Sequence, residues 1–316
     1  MKLECLTLDS FEQIALKTIG ETIYSKVDVN DFQGINLAKQ LAEDIRQECP
    51  RLHDVINQCK YGVFDAILIK GLPSFGYSSA ELQSAKIFSL SLANLLGEPF
   101  QYKQQNAGEI VAEIKPVANL LDQQSSGGKV HFGWHTDDCF FKPRYRTEFI
   151  MLRGYHNPDK VNTKLAFVDD ILQYIDAETL AVLMSKKFKV RVPISICEDD
   201  KWTDRIALIR INGEQKYVIG VPTFDVIPFE VNDVIASMAL ENLAKAINAS
   251  SQSCCLNQDS LLIFNNDRIM HARDIIPTDR LIFRIYVKRS LSGLRSVSSK
   301  DAYVFDASLL FESGGL

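Results

Sequence analysis

The stretch HFGWHTDDCFF, residues 131 to 141, sets two histidines, two aspartates and a cysteine among aromatics. The chain has only five histidines, so an imidazole-based metal site has few candidate ligands. In a strand, residues i and i+2 point to the same face. An extended HFGWHTD therefore projects His135 and Asp137 together and turns Thr136 away. A histidine beside a carboxylate supplies two of the three ligands of a facial triad, which leaves open positions on non-haem iron(II). The third ligand must come from elsewhere. His53 lies in the N-terminal helical region and His156 opens a His-Asn-Pro turn, whereas His271, in SLLIFNNDRIMHARD, follows an Asn-Asn-Asp turn on a short strand. His131 is the rival, because four residues from His135 it shares that strand's face. A zinc site from His131, His135 and a carboxylate is the alternative, but no His-Glu-x-x-His spacing supplies a water-activating glutamate. Bare H-x-D is a weak motif.

Downstream of His271, DRLIFRIYVKR places Arg280, Ile282, Arg284 and Tyr286 on one face and Leu281, Phe283, Ile285 and Val287 on the other. Two inward arginines are costly to bury unless they meet anions. A guanidinium binds a carboxylate through two parallel hydrogen bonds, so each arginine is a candidate carboxylate clamp. The competing reading is an edge strand with one solvated face.

The elements that must position these groups follow from periodicity. SFEQIALKTIGETIYS and INLAKQLAEDIRQE repeat apolar residues at helical intervals, and Pro50 interrupts the pattern. YGVFDAILIKGLP reads as a buried strand. Ser78 and Glu81 form a capping box for a helix through SAELQSAKIFSLSLANLL, closed by Gly97. From about residue 100 strands dominate: EIVAEIKPV, KVHFGWHTD and RTEFIMLRGYH precede a helical insert, DDILQYIDAETLAVLMS. KFKVRVPISI alternates, with Phe188, Val190, Val192, Ile194 and Ile196 on one side. IALIRI-NG-EQKYVIGV predicts a hairpin with a type I′ turn at Asn212-Gly213. The helix VNDVIASMALENLAKAIN and the strands SLLIF and RLIFRIYVKR follow. The pattern predicts an α+β fold, a barrel or jelly roll flanked by helices, as one domain over residues 1–316. Residues 1–60 form its helical N-terminal region and about 100–289 its core.

Composition narrows the function. Hydrophobic content of 46% with 24% charged residues is that of a globular protein with a real core. The net charge of −5 is spread without acidic or basic blocks, which argues against a nucleic-acid footprint or a polybasic membrane patch. No apolar run approaches the roughly 20 residues of a membrane span. The start, MKLECLTLDSFEQ, lacks the features of a signal peptide. Seven cysteines without C-x-x-C spacing fit reduced thiols in a cytoplasmic protein.

Together these residues resemble the iron(II)/2-oxoglutarate-dependent dioxygenases, especially the taurine dioxygenase and clavaminate synthase-like branch with its free amino-acid hydroxylases. The resemblance runs from about residue 62 to residue 289 and rests on WHTDDCFF, TEFIMLRGYHNPDKVNTKLAFVDD and LLIFNNDRIMHARD…DRLIFR. It implies a double-stranded β-helix core, iron(II) held by His135, Asp137 and His271, and 2-oxoglutarate and O2 as cosubstrates. It further implies Arg280 on the distal carboxylate of 2-oxoglutarate, with Thr163 on the same cosubstrate. Arg284 matches the position that meets the substrate's own carboxylate. Glu113 falls near the site for the α-amine, and Asp225 near that for a basic side chain.

The interval from His271 to Arg280 is nine residues, shorter than the resemblance leads one to expect, which leaves Arg273 and Arg284 as alternatives for the cosubstrate. Asp137 stands where the arginine and clavaminate members usually carry glutamate. The implied activity is hydroxylation of an unactivated C–H of a free, basic L-amino acid such as lysine, arginine or ornithine. The alternatives are a dioxygenase acting on another small anion (a neutral amino acid, a sulfonate or a betaine precursor), a desaturase, and a non-catalytic jelly-roll protein that binds a metabolite. The helical N-terminus either packs on the barrel or pairs two subunits into a homo-oligomer.

Overall fold

The computed structural model describes residues 3–23 and 27–312. Its elements run β1 (Glu4–Thr7), α1 (Ser10–Glu21), α2 (Phe32–Glu48), α3 (Pro50–Lys60), β2 (Ala66–Lys70), α4 (Ser79–Leu96), β3 (Glu98–Tyr102) and β4 (Ala112–Ile114). β5 (Phe132–His135), β6 (Phe149–His156), β7 (Asn162–Phe167), α5 (Val168–Ile171), α6 (Ala177–Leu183) and β8 (Phe188–Val190) follow. Next come β9 (Ile209–Ile211), β10 (Tyr217–Ile219), β11 (Val226–Pro228), α7 (Val234–Ser250) and β12 (Gln252–Cys255). The last are β13 (Ser260–Asn265), β14 (Ile269–Arg273), β15 (Leu281–Lys288), α8 (Ser292–Arg295), β16 (Val304–Phe305) and α9 (Ala307–Glu312).

An eight-stranded sheet of order β1-β2-β13-β6-β15-β3-β16, with β4 also on β15, stands against a four-stranded sheet of order β12-β7-β14-β5. Alternation along β15 shows how the chain divides between two layers. Phe283, Ile285 and Val287 are buried with residues of α1 to α4. Ile282 and Tyr286 are buried on the other face, with Leu165, Phe167 and Ile269 of the smaller sheet. Period-two side chains thus give the central sheet two apolar faces. Between positions 281 and 282 the β15–β6 register shifts, a bulge that re-aims the chain beside Arg280. Gly154 lies opposite Ile282 there, and a Cβ on it would sit 2.1 Å from the Asn257 carbonyl oxygen.

Several elements form as the sequence predicts. The capping box of α4 is present, with Ser78 accepting from the Glu81 amide and Glu81 returning to the Ser78 amide. Others differ for local reasons. Pro50 does not end the helical region; it occupies the first turn of α3, where its missing N–H costs nothing. The predicted strand over KFKVRVPISI stops at Val190, and Ile194 is 64% exposed while Phe188, Val190, Val192 and Ile196 are buried. The hairpin forms between β9 and β10, but its turn is longer than the two residues of type I′. The Asn212 carboxamide accepts from the Glu214 and Lys216 amides, and Gln215, not Gly213, takes the positive φ. The predicted helix DDILQYIDAETLAVLMS is split into α5 and α6. Among the described residues, no helix is long and apolar enough to cross a membrane.

Candidate metal centre

β5 and β14 are antiparallel neighbours, and His135 pairs in register with His271. Their ring centroids lie 4.0 Å apart. The register skips between His271–His135 and Arg273–Phe132, an irregularity that ends simple alternation along β5. His131 consequently falls outside the strand and is exposed, so it does not join the cluster. Asp137 lies just beyond the end of β5, in the turn that follows, yet reaches the same face. Its Oδ1 is 3.4 Å from His135 Nε2 and 3.7 Å from His271 Nε2. One ligand atom from each residue falls within 4.8 Å of the others.

The chemistry of this donor set fits a divalent cation. His135 Nδ1 is 2.8 Å from the Gly133 carbonyl, which fixes that nitrogen as the donor and leaves the Nε2 lone pair facing Asp137. Burial, reinforced by His135, pushes the His271 pKa down to about 3, so its imidazole is neutral. Burial alone would raise Asp137, but the Arg284 guanidinium and the two histidines hold its carboxyl well below the usual range. Two imidazoles and one carboxylate are a triad of the kind that binds non-haem iron(II).

Residues beyond the three ligands hold the set in place. Asn266 accepts from the Asp137 amide at 2.9 Å and donates to the Asp137 and Thr147 carbonyls at 2.8 and 3.0 Å. Tyr286 Oη donates to Asp137 Oδ2 at 2.6 Å, and Arg284 Nη1 to the same oxygen at 3.1 Å. Asp138, at φ +57°, accepts from Thr147 and Gln105. Burial and the adjacent Asp137 push its pKa up to about 7. Asn266 belongs to a turn signal, Thr147 opens one of the stretches that carry the resemblance, and Gln105 carries no signal at all.

Behind His271 a small recess, about 50 Å³, is bounded by Thr163, Arg280, Leu152, Ile282 and Arg284. Arg280 is 4% exposed. Its Nη2 donates to Thr163 Oγ1 at 3.1 Å, while Nε has no partner. Among the described residues no carboxylate pairs with it, and burial pushes its pKa down to about 10. Arg273, the alternative clamp, is committed to the carbonyls of Asp274, Ser125 and Gly128.

In front of the cluster opens a cavity of about 300 Å³, whose walls include Asp137, Arg284, Gln105, Glu113, Phe224 and Asp225. Arg284 spans both spaces; beyond Asp137 it donates to Gln105 Oε1 at 3.1 Å, and its Nε is unpartnered. Glu113 is engaged on both oxygens, by Lys86 and Lys115 at 2.7 Å each. Asp225 has no ion pair among the described residues, since the nearby Arg191 is bound to Asp200 at 2.9 Å. Burial raises its pKa.

The comparisons with known proteins point to one group. Enduracididine beta-hydroxylase of Streptomyces hygroscopicus is 24% identical over 86% of this chain and 89% of its own. L-asparagine oxygenase of Streptomyces coelicolor is 24% identical over 77% of this chain and 76% of its own. The crystal structure of an asparagine oxygenase with Fe(II), 2S,3S-3-hydroxyasparagine and succinate superposes with TM-score 0.81 at 18% identity, over 96% of this chain and 99% of that one. The chain is similar to these amino-acid oxygenases in sequence and in fold. The non-heme iron oxygenase OrfP, with Fe and alpha-ketoglutaric acid, shares the fold at TM-score 0.82 and 20% identity, over 95% of this chain and 99% of that one. No protein-family model matches. The mixed arrangement of sheets and helices is therefore that of these amino-acid oxygenases.

Proposed function

We propose that this protein is an iron(II)- and 2-oxoglutarate-dependent hydroxylase of a free L-amino acid, with a basic amino acid as the preferred substrate. The observation that carries the reading is Arg280, a buried guanidinium without a carboxylate, set beside a His-Asp-His cluster. In this reading His135, Asp137 and His271 hold the metal. Bound there, iron(II) would supply the O2 chemistry that converts a C–H to C–OH while 2-oxoglutarate becomes succinate and CO2.

The chain's part is placement. Arg280 and Thr163 hold the distal carboxylate of the cosubstrate, which ends the guanidinium's isolation. Arg284, with its free Nε, meets the substrate carboxylate. Asp225 receives a cationic side chain across the cavity, and that contact favours its ionised form. Glu113 serves the α-amine by exchanging the exposed Lys115 for it, while the buried Lys86 keeps its place. Holding one C–H at a fixed position is what selects the carbon attacked. The two facing sheets are read as a double-stranded β-helix and residues 1–316 as one catalytic domain. The eight-stranded sheet, which contributes to the apolar core on both of its faces, supports that reading.

Hydroxyarginine bound to OrfP and hydroxyasparagine bound to asparagine oxygenase support a free amino acid. A neutral or acidic amino acid is the second reading, favoured by Lys115 and Arg191 in the cavity wall. Substrate-stimulated succinate release, with iron(II), ascorbate and 2-oxoglutarate over the twenty amino acids, tests both. The expected result is stimulation by lysine, arginine or ornithine (added to the panel) above the rest; no stimulation by any of them overturns the proposal.

A further inference from the structure

Asp137 presents two oxygens to two different environments. Oδ1 faces the Nε2 atoms of His135 and His271, and Oδ2 faces away, toward Tyr286 and Arg284. A carboxylate on a turn, just past the end of its strand, needs an external hold to keep that division. The two donors on Oδ2 differ in how free they are. Arg284 also bonds Gln105, keeps an unpartnered Nε and borders both the cavity and the recess, so an incoming carboxylate can draw on it.

Tyr286 also borders the cavity, with the Arg284 guanidinium 4.4 Å from its ring centroid, but it is more firmly held. It is 1% exposed, and its ring packs against Phe100 and Tyr102 at centroid distances of 5.9 and 6.4 Å. Its backbone is paired on both sides within the eight-stranded sheet, to Phe100 and to Ile150. The hydroxyl bonds Asp137 Oδ2, at 2.6 Å. We propose that Tyr286 is the positioning residue of the metal set: its hydroxyl holds Asp137 Oδ2 so that Oδ1 alone faces the imidazoles, and it keeps that hold when a ligand carboxylate engages Arg284. The inference rests on the reading of His135, Asp137 and His271 as the metal ligands.

Co(II) is the probe, because its visible ligand-field absorption reports coordination without turnover. The wild-type chain, Tyr286→Phe and His271→Ala are titrated with Co(II), and the melting of each metal-free form is recorded. Wild type is expected to bind one Co(II) and His271→Ala to lose it. Tyr286→Phe is expected to melt cooperatively yet bind Co(II) about ten- to a hundredfold more weakly, with a shifted absorption band. A purely structural tyrosine would change the melt and leave the band of the bound metal alone. Tyr286→Met, which also lacks the hydroxyl, replaces the phenylalanine variant if that one does not fold. Unchanged affinity and spectrum in a folded hydroxyl-free variant, with binding lost in His271→Ala, overturn the role of Tyr286 alone. A wild-type chain that does not bind Co(II), or His271→Ala binding as wild type does, overturns the metal set and this inference with it.

Discussion

Arg268 and Arg280 are each 4% exposed and each immediately precede a strand that borders the site, β14 and β15. Their surroundings differ completely. Arg268 donates to Asp65 Oδ2 at 3.1 and 3.0 Å, to Asp169 Oδ2 at 2.5 Å and to the Tyr217 carbonyl. Those carboxylates raise its pKa despite burial. Arg280 has a threonine hydroxyl, an unpartnered Nε and a pKa pushed down. Burial of a cation is thus no sign of function; burial without an anion, on the wall of an open recess, is the informative case. Arg153 marks the boundary of that rule. It too is buried without a carboxylate, but Ser89, the Pro73 carbonyl and the Phe75 and Phe88 rings surround it.

The sharpest way to break the comparison is to remove each guanidinium. Arg268→Met leaves Asp65 buried and uncompensated and is expected to cost about 3–5 kcal/mol of stability, read by urea unfolding. Arg280→Met removes a desolvated charge instead, so its unfolding free energy should equal or exceed that of wild type. Its affinity for 2-oxoglutarate should fall by about 2 kcal/mol or more, roughly 30-fold, in calorimetric titration of the metal-loaded protein. Equal stability losses in the two variants would erase the distinction. Asp225→Ala extends the test to the substrate cavity. Losing a charged hydrogen bond of about 1.5–3 kcal/mol should cut the preference for basic over neutral amino acids at least tenfold in kcat/KM.

The smallest effect is a pH slope. The His271 pKa is about 3 in the folded protein against an ordinary 6.5, so between those values the unfolded chain binds the extra proton. Stability of the metal-free protein is therefore complete above pH 6.5 and is lost as pH falls toward 3, by at most about 1.4 kcal/mol per pH unit from this group. His271→Gln should flatten that part of the profile in thermal melts.

What could be read from the sequence was what depends on neighbours a few residues apart. The faces of β15 and the Ser78–Glu81 cap follow from strand or helix period and form as read, whereas His135 and Asp137 meet through the turn after β5 and not through the strand alternation that paired them. What escaped depends on distant partners. β1 is a short, largely exposed strand that exists because β2 offers it a parallel edge. The irregular register that excludes His131 is set jointly by β5 and β14. Gln105 and Asn266 matter through hydrogen bonds to residues far along the chain, which no local pattern announces, and strand period gives the face of Tyr286 but not its partner Asp137.

The direct pairing of His135 with His271 also orders events in time. A nascent chain that has emerged through β5 and the turn holding Asp137 carries two donors and lacks the third, which lies in the strand that must return to pair beside the first. Contacts between residues so far apart in sequence are slow to form, since a long loop must close before they reward it. In the proposed reading of the cluster, metal capture would therefore follow closure of the small sheet. A cation that binds only the closed sheet would stabilise it by mass action, so metal supply would set how firmly the finished chain stays folded.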